Sequence, residues 1–188
     1  SATDAIQISS AGIVTFKDDI LIKDGGTIGV ASATDAMTVS SAGIVTFKDD
    51  ILIKDGGTIG VASDADVITI ASTGVTTFSK AVVGSTDTDT SNTGSVTLDF
   101  NTNQNFVLTF TGNVTLANPS TESVGQTGVI ICIQDGTGSR TLSLGTDYET
   151  VGGAGITLST AASAVDVIPY VVKASGSIQL GAPQLAFS

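Results

Sequence analysis

Residues 1–31 read SATDAIQISSAGIVTFKDDILIKDGGTIGVA, and residues 32–62 read SATDAMTVSSAGIVTFKDDILIKDGGTIGVA. The two stretches differ only at Ile6/Met37, Gln7/Thr38 and Ile8/Val39, so the chain opens on a tandem repeat with a period of 31 residues. A decayed third copy begins at Ser63 and keeps Asp66, Ile68, Ile70, Gly74 and Phe78 in register before fading near Gly84. Self-similarity at a fixed period is the mark of a repeat architecture, in which units too small to bury their own apolar side are covered by neighbours. Near-identity between copies also speaks for a spacer, since an active site seldom tolerates changes in copy number.

Each copy divides again. Ile6, Ile8, Gly12, Val14 and Phe16 stand at offsets 0, 2, 6, 8 and 10, and Ile20, Ile22, Gly26, Ile28 and Val30 repeat them. The same offsets return in Met37, Val39, Gly43, Val45 and Phe47, then in Ile51, Ile53, Gly57, Ile59 and Val61. They return once more in Ile68, Ile70, Gly74, Thr76 and Phe78. A period of two is a strand signal, because successive side chains on a strand point to opposite faces. The fixed glycine in Ser-Ser-Ala-Gly and Lys-Asp-Gly-Gly assigns Gly12, Gly26, Gly43, Gly57 and Gly74 to turns that need a positive φ. Residues 1–84 are therefore expected to form about five β-hairpin-like units, with the alternating apolar residues as their common core. Ile13, Ile44, Leu21 and Leu52 fall on the opposite face, which is expected to be partly covered as well.

A lone two-stranded hairpin is marginal in water, so the apolar stripe needs cover from elsewhere. A single-chain solenoid with strands this short would enclose little, and no capping units are visible. Identical chains winding about a shared axis meet the need, and the apolar set above then doubles as the interface between copies. An alternating strand, a glycine turn and a second alternating strand, repeated about every 15 residues, resemble the shafts of trimeric viral fibres of the triple β-spiral type. The resemblance covers residues 1–84 and implies a homotrimeric shaft. The spacing of 14 and then 17 residues departs from strict equivalence of the units.

Residues 85–94, polar and turn-rich, read as a neck. Asp87 and Asp89 sit at the alternate positions from which carboxylates converge on calcium, but the glycine and closing Glu of a calcium loop are missing, and a solvated connector is expected. From residue 95 onward short apolar runs alternate with turns: Val96–Phe100, Phe106–Phe110, Val114–Leu116, Val129–Ile133, Thr141–Leu144, Ile156–Leu158, Val165–Val172 and Ile178–Leu180. Closely spaced short strands predict an all-β domain over 95–188, an antiparallel sandwich or jelly-roll-like knob.

Three runs in this half carry a more specific resemblance: residues 106–119 (FVLTFTGNVTLANP), 128–142 (GVIICIQDGTGSRTL) and 160–170 (TAASAVDVIPY). They are similar to the C-terminal β-domain of many bacteriophage tail-fibre and related virion proteins, in which Gln-Asp-Gly-Thr-Gly-x-Arg-Thr joins two central strands. The resemblance implies a virion structural role and brings no active site with it. The Trp-Pro segment often found after the Arg-Thr strand is replaced here by Leu142-Ser-Leu-Gly-Thr-Asp-Tyr148.

Composition narrows the chemistry. Seven Lys and Arg against 18 Asp and Glu, for a net charge of −11, cannot supply the cations that displace counterions from nucleic acid. The chain contains no His, which removes His-based acid–base catalysis and His-ligated metals. Cys132, the single cysteine, lies within Val129–Ile133 and reads as a buried small hydrophobe. No apolar stretch is long enough for a membrane-spanning helix. Lys17-Asp18-Asp19 and Lys48-Asp49-Asp50 pair carboxylates as a glycosidase does, yet neighbours on a strand point apart, and solvated loops are expected. Asp24-Gly-Gly and Asp55-Gly-Gly lack the lysine and helix of a phosphate loop. Asp135 is expected to accept from the amides of its own turn, with Arg140 pairing with it or with a neighbouring chain. Of the two tyrosines, Tyr148 and Tyr170, a core or interface place is expected, with sugar stacking as the other option.

The expected molecule is a non-enzymatic homotrimer without cofactor or metal: a β shaft, a polar neck and a C-terminal knob on the surface of a virion. The loops Glu122–Thr127 and Gly152–Gly155 are expected to touch a host-surface receptor, glycan or protein. A low-lysine, acidic exterior disfavours nonspecific adhesion to anionic envelopes. The start at a repeat boundary without Met leads to the expectation of a virion-anchoring part upstream. The rival reading is a subunit of a bacterial or archaeal extracellular filament or adhesin joined by strand donation.

Overall fold

The computed structural model describes residues 6–16 and 20–187. The chain divides into two units, Ser1–Ala81 and Val82–Ser188. Among the described residues, strands make up nearly all the regular structure, and the one helical segment is a 3₁₀ turn at Val151–Gly153. Among the described residues no helix is long and apolar enough to cross a membrane. The all-β class read from the alternation holds.

In the first unit, β1 (Ile6–Ile8) and β2 (Val14–Phe16) form the expected hairpin, with Ile6 opposite Phe16 and Ile8 opposite Val14. Ser9 closes it: its carbonyl accepts from the Gly12 amide at 2.9 Å and its Oγ accepts from the Ile13 amide at 3.1 Å. Gly12 adopts φ +76°, as do Gly43 at +76° and Gly74 at +82° in the equivalent turns. That left-handed conformation costs glycine little and other residues more.

The second unit of each repeat differs from the expected hairpin. β3 (Gly26–Val30) turns through Ala31–Ser32 into β4 (Ala33–Val39), which pairs on its other edge with β5 (Val45–Phe47). β6 (Gly57–Val61), β7 (Asp64–Ile70) and β8 (Thr76–Phe78) repeat this meander. Each sheet therefore straddles a repeat boundary. Ile20–Lys23 and Ile51–Lys54, assigned to hairpin arms, lie in no ladder among the described residues. Alternation identifies a strand but not its partner, and the two-residue link Ala31–Ser32 supplies the tighter turn. The glycine assignment shifts with it. In Lys-Asp-Gly-Gly the left-handed residue is the first glycine, Gly25 at +71° and Gly56 at +73°. Gly26 and Gly57 instead begin β3 and β6, where a Cβ would collide with Ile22 Cγ2 and Ile53 Cγ2.

In the second unit β9 (Thr86–Thr97), β10 (Asn105–Ala117), β11 (Thr127–Gln134), β12 (Leu142–Leu144), β13 (Tyr148–Glu149), β14 (Val165–Ala174), β15 (Ser177–Leu180) and β16 (Gln184–Phe187) share one eight-stranded sheet. Its spine runs β12-β10-β11-β14-β15-β13, with β9 on β10 and β16 on β14. The neck assigned to residues 85–94 is the edge strand β9, built from Thr, Ser, Asn and Asp. Its polarity reflects an exposed edge rather than a linker. The antiparallel sandwich is likewise corrected: β9, β11 and β12 all pair β10 in parallel, and β13 pairs β15 in parallel. Alternation reads the same in either direction, so ladder sense was hidden. β11 lies along the first half of β10 and β12 along the second, so the Gln134–Thr141 connection is a detour between two strands on one side of β10. Thr111-Gly-Asn113, read as a turn, is an irregular stretch within β10.

The β9–β10 pairing forces curvature. Asn105 sits beside Thr86, yet the chain reaches it from Thr97 in eight steps, at most about 28 Å of extended chain. A straight strand from Thr86 to Thr97 would span about 36 Å. The strands must bend, and the register shifts between Leu108 and Val114 mark where. Asn92, 2 % exposed, fills this corner by donating to the carbonyls of Asp89 (3.1 Å) and Thr109 (3.2 Å). The concave face carries the core: Phe106, Leu108 and Phe110 on β10, Ile130 on β11, Ile168 and Val172 on β14. Leu98 and Phe100 fold in from the β9–β10 connection. Phe100 meets Phe106 at 5.0 Å between ring centroids and Tyr170 edge-on at 5.2 Å. Cys132 is buried among them, and desolvation pushes its thiol up to about 12.

Candidate functional site

The apolar residues assigned to the shaft core are mostly half-exposed in the single chain. Across the second sheet Ile28, Met37 and Phe47 stand side by side, and across the third Ile59, Ile68 and Phe78 do the same. Directly opposed residues share a face of a sheet, so each row is a continuous apolar stripe. Ile28, Phe47, Ile59 and Phe78 keep 46–53 % of their surface exposed. Ile6, Ile8, Val14 and Phe16 form the matching patch of the first hairpin, also exposed. Ile20, Val30, Ile51 and Val61 are exposed as well, while Met37, Val39, Ile68 and Ile70 are half-buried within their sheets. The fold thus gathers the predicted residues into rows and leaves the rows open.

In the second unit, the Gln134–Arg140 detour is held from within. The buried Gln134 amide spans its base, Oε1 accepting from the Arg140 amide at 2.8 Å and Nε2 donating to the Arg140 carbonyl at 2.9 Å. Asp135 Oδ1 accepts from the amides of Thr137 and Gly138, each at 2.9 Å. Its Oδ2 receives both Nε and an Nη of Arg140, at 3.1 and 2.8 Å. The Arg140 guanidinium, aided by the Gly138 amide, holds the Asp135 carboxyl at about 2, against an ordinary 3.8. Gly138, at φ +76°, packs on the backbone of residues 160–162, where any side chain would collide. Asp135 and Arg140 fulfil the turn-holding role read from the sequence. Because the folded-state value is depressed, the carboxylate stabilises the fold at pH above 3.8, and that contribution fades as pH falls toward about 2. Urea unfolding of the second unit is expected to show a midpoint that drops across this window, with a shallower drop in Asp135→Asn.

Next to this detour opens a cleft of about 810 Å³ between β12 and the segment 148–156. Gly152, Gly153 and Gly155 all adopt positive φ, and Thr150 Oγ1 accepts from the Gly155 amide at 2.9 Å, so the glycine loop has a defined shape. Val151 stands 86 % exposed at its tip. Glu149, on the cleft wall, accepts from Ser177 Oγ at 2.7 Å and Lys173 Nζ at 3.1 Å, which hold its carboxyl below the usual range. The wall therefore presents an ionised carboxylate, hydroxyls of Ser143 and Thr150, and glycine backbone, with Leu144 and Ile156 as apolar floor. Such a surface can hydrogen-bond a polar partner. Glu149 and Thr150 escaped sequence reading because a two-residue strand leaves no periodic signal.

The second expected contact loop, Glu122–Thr127, is tied to the same end: Glu122 Oε1 accepts from the Gly176 amide at 2.8 Å, and Gln126 Nε2 donates to the carbonyls of Phe100 and Asn103. Tyr148 and Tyr170 are both buried, which leaves neither ring for stacking on a sugar. Asp87 and Asp89 lie on β9, where Asp89 Oδ1 accepts from the Ser91 amide at 3.0 Å. Lys48 pairs with Asp35 at 2.7 Å across exposed surface, and Lys17-Asp18-Asp19 lies outside the described residues. Among the described residues no three His, Cys, Asp or Glu side chains cluster as metal ligands would.

Asp166 is the polar group that sequence reading passed over. It is 1 % exposed and accepts from the Ser159 amide (2.7 Å), Ser159 Oγ (2.7 Å) and the Ala186 amide (2.9 Å). It thereby fastens both the 156–160 segment behind the cleft and β16 to the start of β14. The phase of β14 could have shown it, since Ile168, Tyr170 and Val172 point inward and Asp166 shares their parity.

Comparison with protein families matches residues 89–177 to the family described as "Putative phage tail fibre C-terminal domain". Comparisons with curated proteins and with solved structures gave no match.

Proposed function

With residues 89–177 forming a phage tail-fibre C-terminal domain, we propose that this chain is a structural fibre protein whose repeats build a homotrimeric shaft and whose second unit is the host-contacting knob. The observation that carries the reading is the presence, in one chain, of the tail-fibre domain and of repeats whose apolar rows lie open. Ile28–Met37–Phe47 and Ile59–Ile68–Phe78 gain cover when copies share an axis, and burial of such residues is worth about 1.5–3 kcal/mol each. The knob acts by contact rather than catalysis. Its cleft beside Glu149 and the loops Glu122–Thr127 and Gly152–Gly155 face the receptor.

Antibody against the second unit, imaged by electron microscopy on phage particles carrying this protein, is expected to label the free ends of projecting fibres. Label confined to the capsid, or to the fibre base, would overturn the assignment of the knob.

A further inference from the structure

Three positions one period apart, Leu21, Leu52 and Val83, are 97 %, 94 % and 88 % exposed. The neighbours Ile20, Ile51 and Val82 are 63 %, 61 % and 72 % exposed. These are the connectors left out of every sheet. Ile51 through Ile53 belong to no strand or turn between β5 and the Lys54–Gly57 turn, and none of their amides or carbonyls takes part in a backbone hydrogen bond among the described residues. The side chains at 21 and 52 do not turn toward the sheet rows either, which is why the fold leaves them nearly as bare as an unfolded chain would. Yet the run Ile-Leu-Ile is among the most apolar and strand-favouring in the sequence. An unpaired strand and an unpaired sheet edge are complementary objects. Each three-stranded sheet has two such edges, the outer sides of β3 and β5 and of β6 and β8.

We infer that the connectors centred on Leu21, Leu52 and Val83 are inter-chain strands, each adding main-chain hydrogen bonds to a free sheet edge of a second copy of this chain. The period identifies the occupant. A partner that covers all three connectors must offer acceptor edges recurring with the same 31-residue spacing, and a second copy does so by construction. It also supplies two free sheet edges per repeat for the one connector that each repeat has to place. The inference rests on the assembly reading above and goes beyond it by adding backbone pairing to the burial of the apolar rows.

Because these side chains touch almost nothing in their own chain, replacing them tests assembly without disturbing the single-chain fold. Hydrogen–deuterium exchange on the assembled protein is expected to show the Ile51–Ile53 amides slowed by about 100-fold or more, as for paired strand amides. The triple variant Leu21→Asp, Leu52→Asp, Val83→Asp is expected to sediment as a single chain, with unchanged tyrosine fluorescence from the second unit. An assembled wild type whose Ile51–Ile53 amides exchange at the unstructured rate would overturn the strand assignment while leaving the assembly reading intact. A triple variant that still assembles would do the same. A wild type that is itself a single chain would overturn both.

Discussion

Replacing Phe106 by Ala is expected to destabilise the second unit by about 3–5 kcal/mol, as deletion of a fully buried aromatic ring does. Phe106 has no exposed surface, lies between β9 and β11 on the curled sheet, and packs on Phe100 at 5.0 Å and Tyr170 at 6.4 Å. The ring thus joins four parts of the unit: the central strand, its parallel neighbours, the connection that makes parallel pairing possible, and β14. Small domains hold about 5–15 kcal/mol in total, so the variant should stand close to unfolding at room temperature. Both tyrosines of the chain, Tyr148 and Tyr170, belong to this unit and there is no Trp, so tyrosine fluorescence in urea reports it selectively. Phe187→Ala is the contrasting substitution. That ring is 48 % exposed on β16, and its removal is expected to cost under about 1 kcal/mol as at other surface positions.

Asp166→Ala is expected to cost about 3 kcal/mol and to act locally before it acts globally. The variant leaves the Ser159 and Ala186 amides without their acceptor, and an orphaned buried donor carries a penalty of about 1–3 kcal/mol. Residues 156–160 and 184–187 lose the carboxylate that ties them to β14. Limited proteolysis should cut there while the β10–β11–β14 centre stays protected. Asp166→Asn should recover little, since its amide nitrogen cannot accept the bonds that both carboxylate oxygens now take. Protection of both segments equal to wild type in Asp166→Ala would show that packing of Leu158 and of β16, rather than this carboxylate, fixes them.

What could be read from the residues followed their periodicity. Alternation at Ile6–Ile8, Val14–Phe16 and Val129–Ile133 located strands, and Ser9-Ser-Ala-Gly12 located its turn, because side-chain parity and glycine conformation are local properties. Partner choice is not local. Ile20–Ile22 and Ile51–Ile53 have the same alternation as true hairpin arms, but the Ala31–Ser32 turn lets β3 pair forward with β4, and they are left alone. Ladder direction was hidden for the same reason: a parallel β9–β10 pair joined by seven residues is possible only because both strands bend near Asn92 and Phe110. The cleft of the second unit was legible in part. Gly152–Gly155 announced a loop, whereas Glu149 gained its place on the cleft wall from tertiary partners, Ser177 and Lys173, that lie 28 and 24 residues away.

In the proposed fibre, the exposed rows of the repeats are covered by further copies of the chain. Sedimentation equilibrium of the intact protein at micromolar concentration tests it most directly. The expected result is a single species at three times the 18.7 kDa chain mass. A stable, folded species at one chain mass, unchanged on raising the concentration, would contradict it.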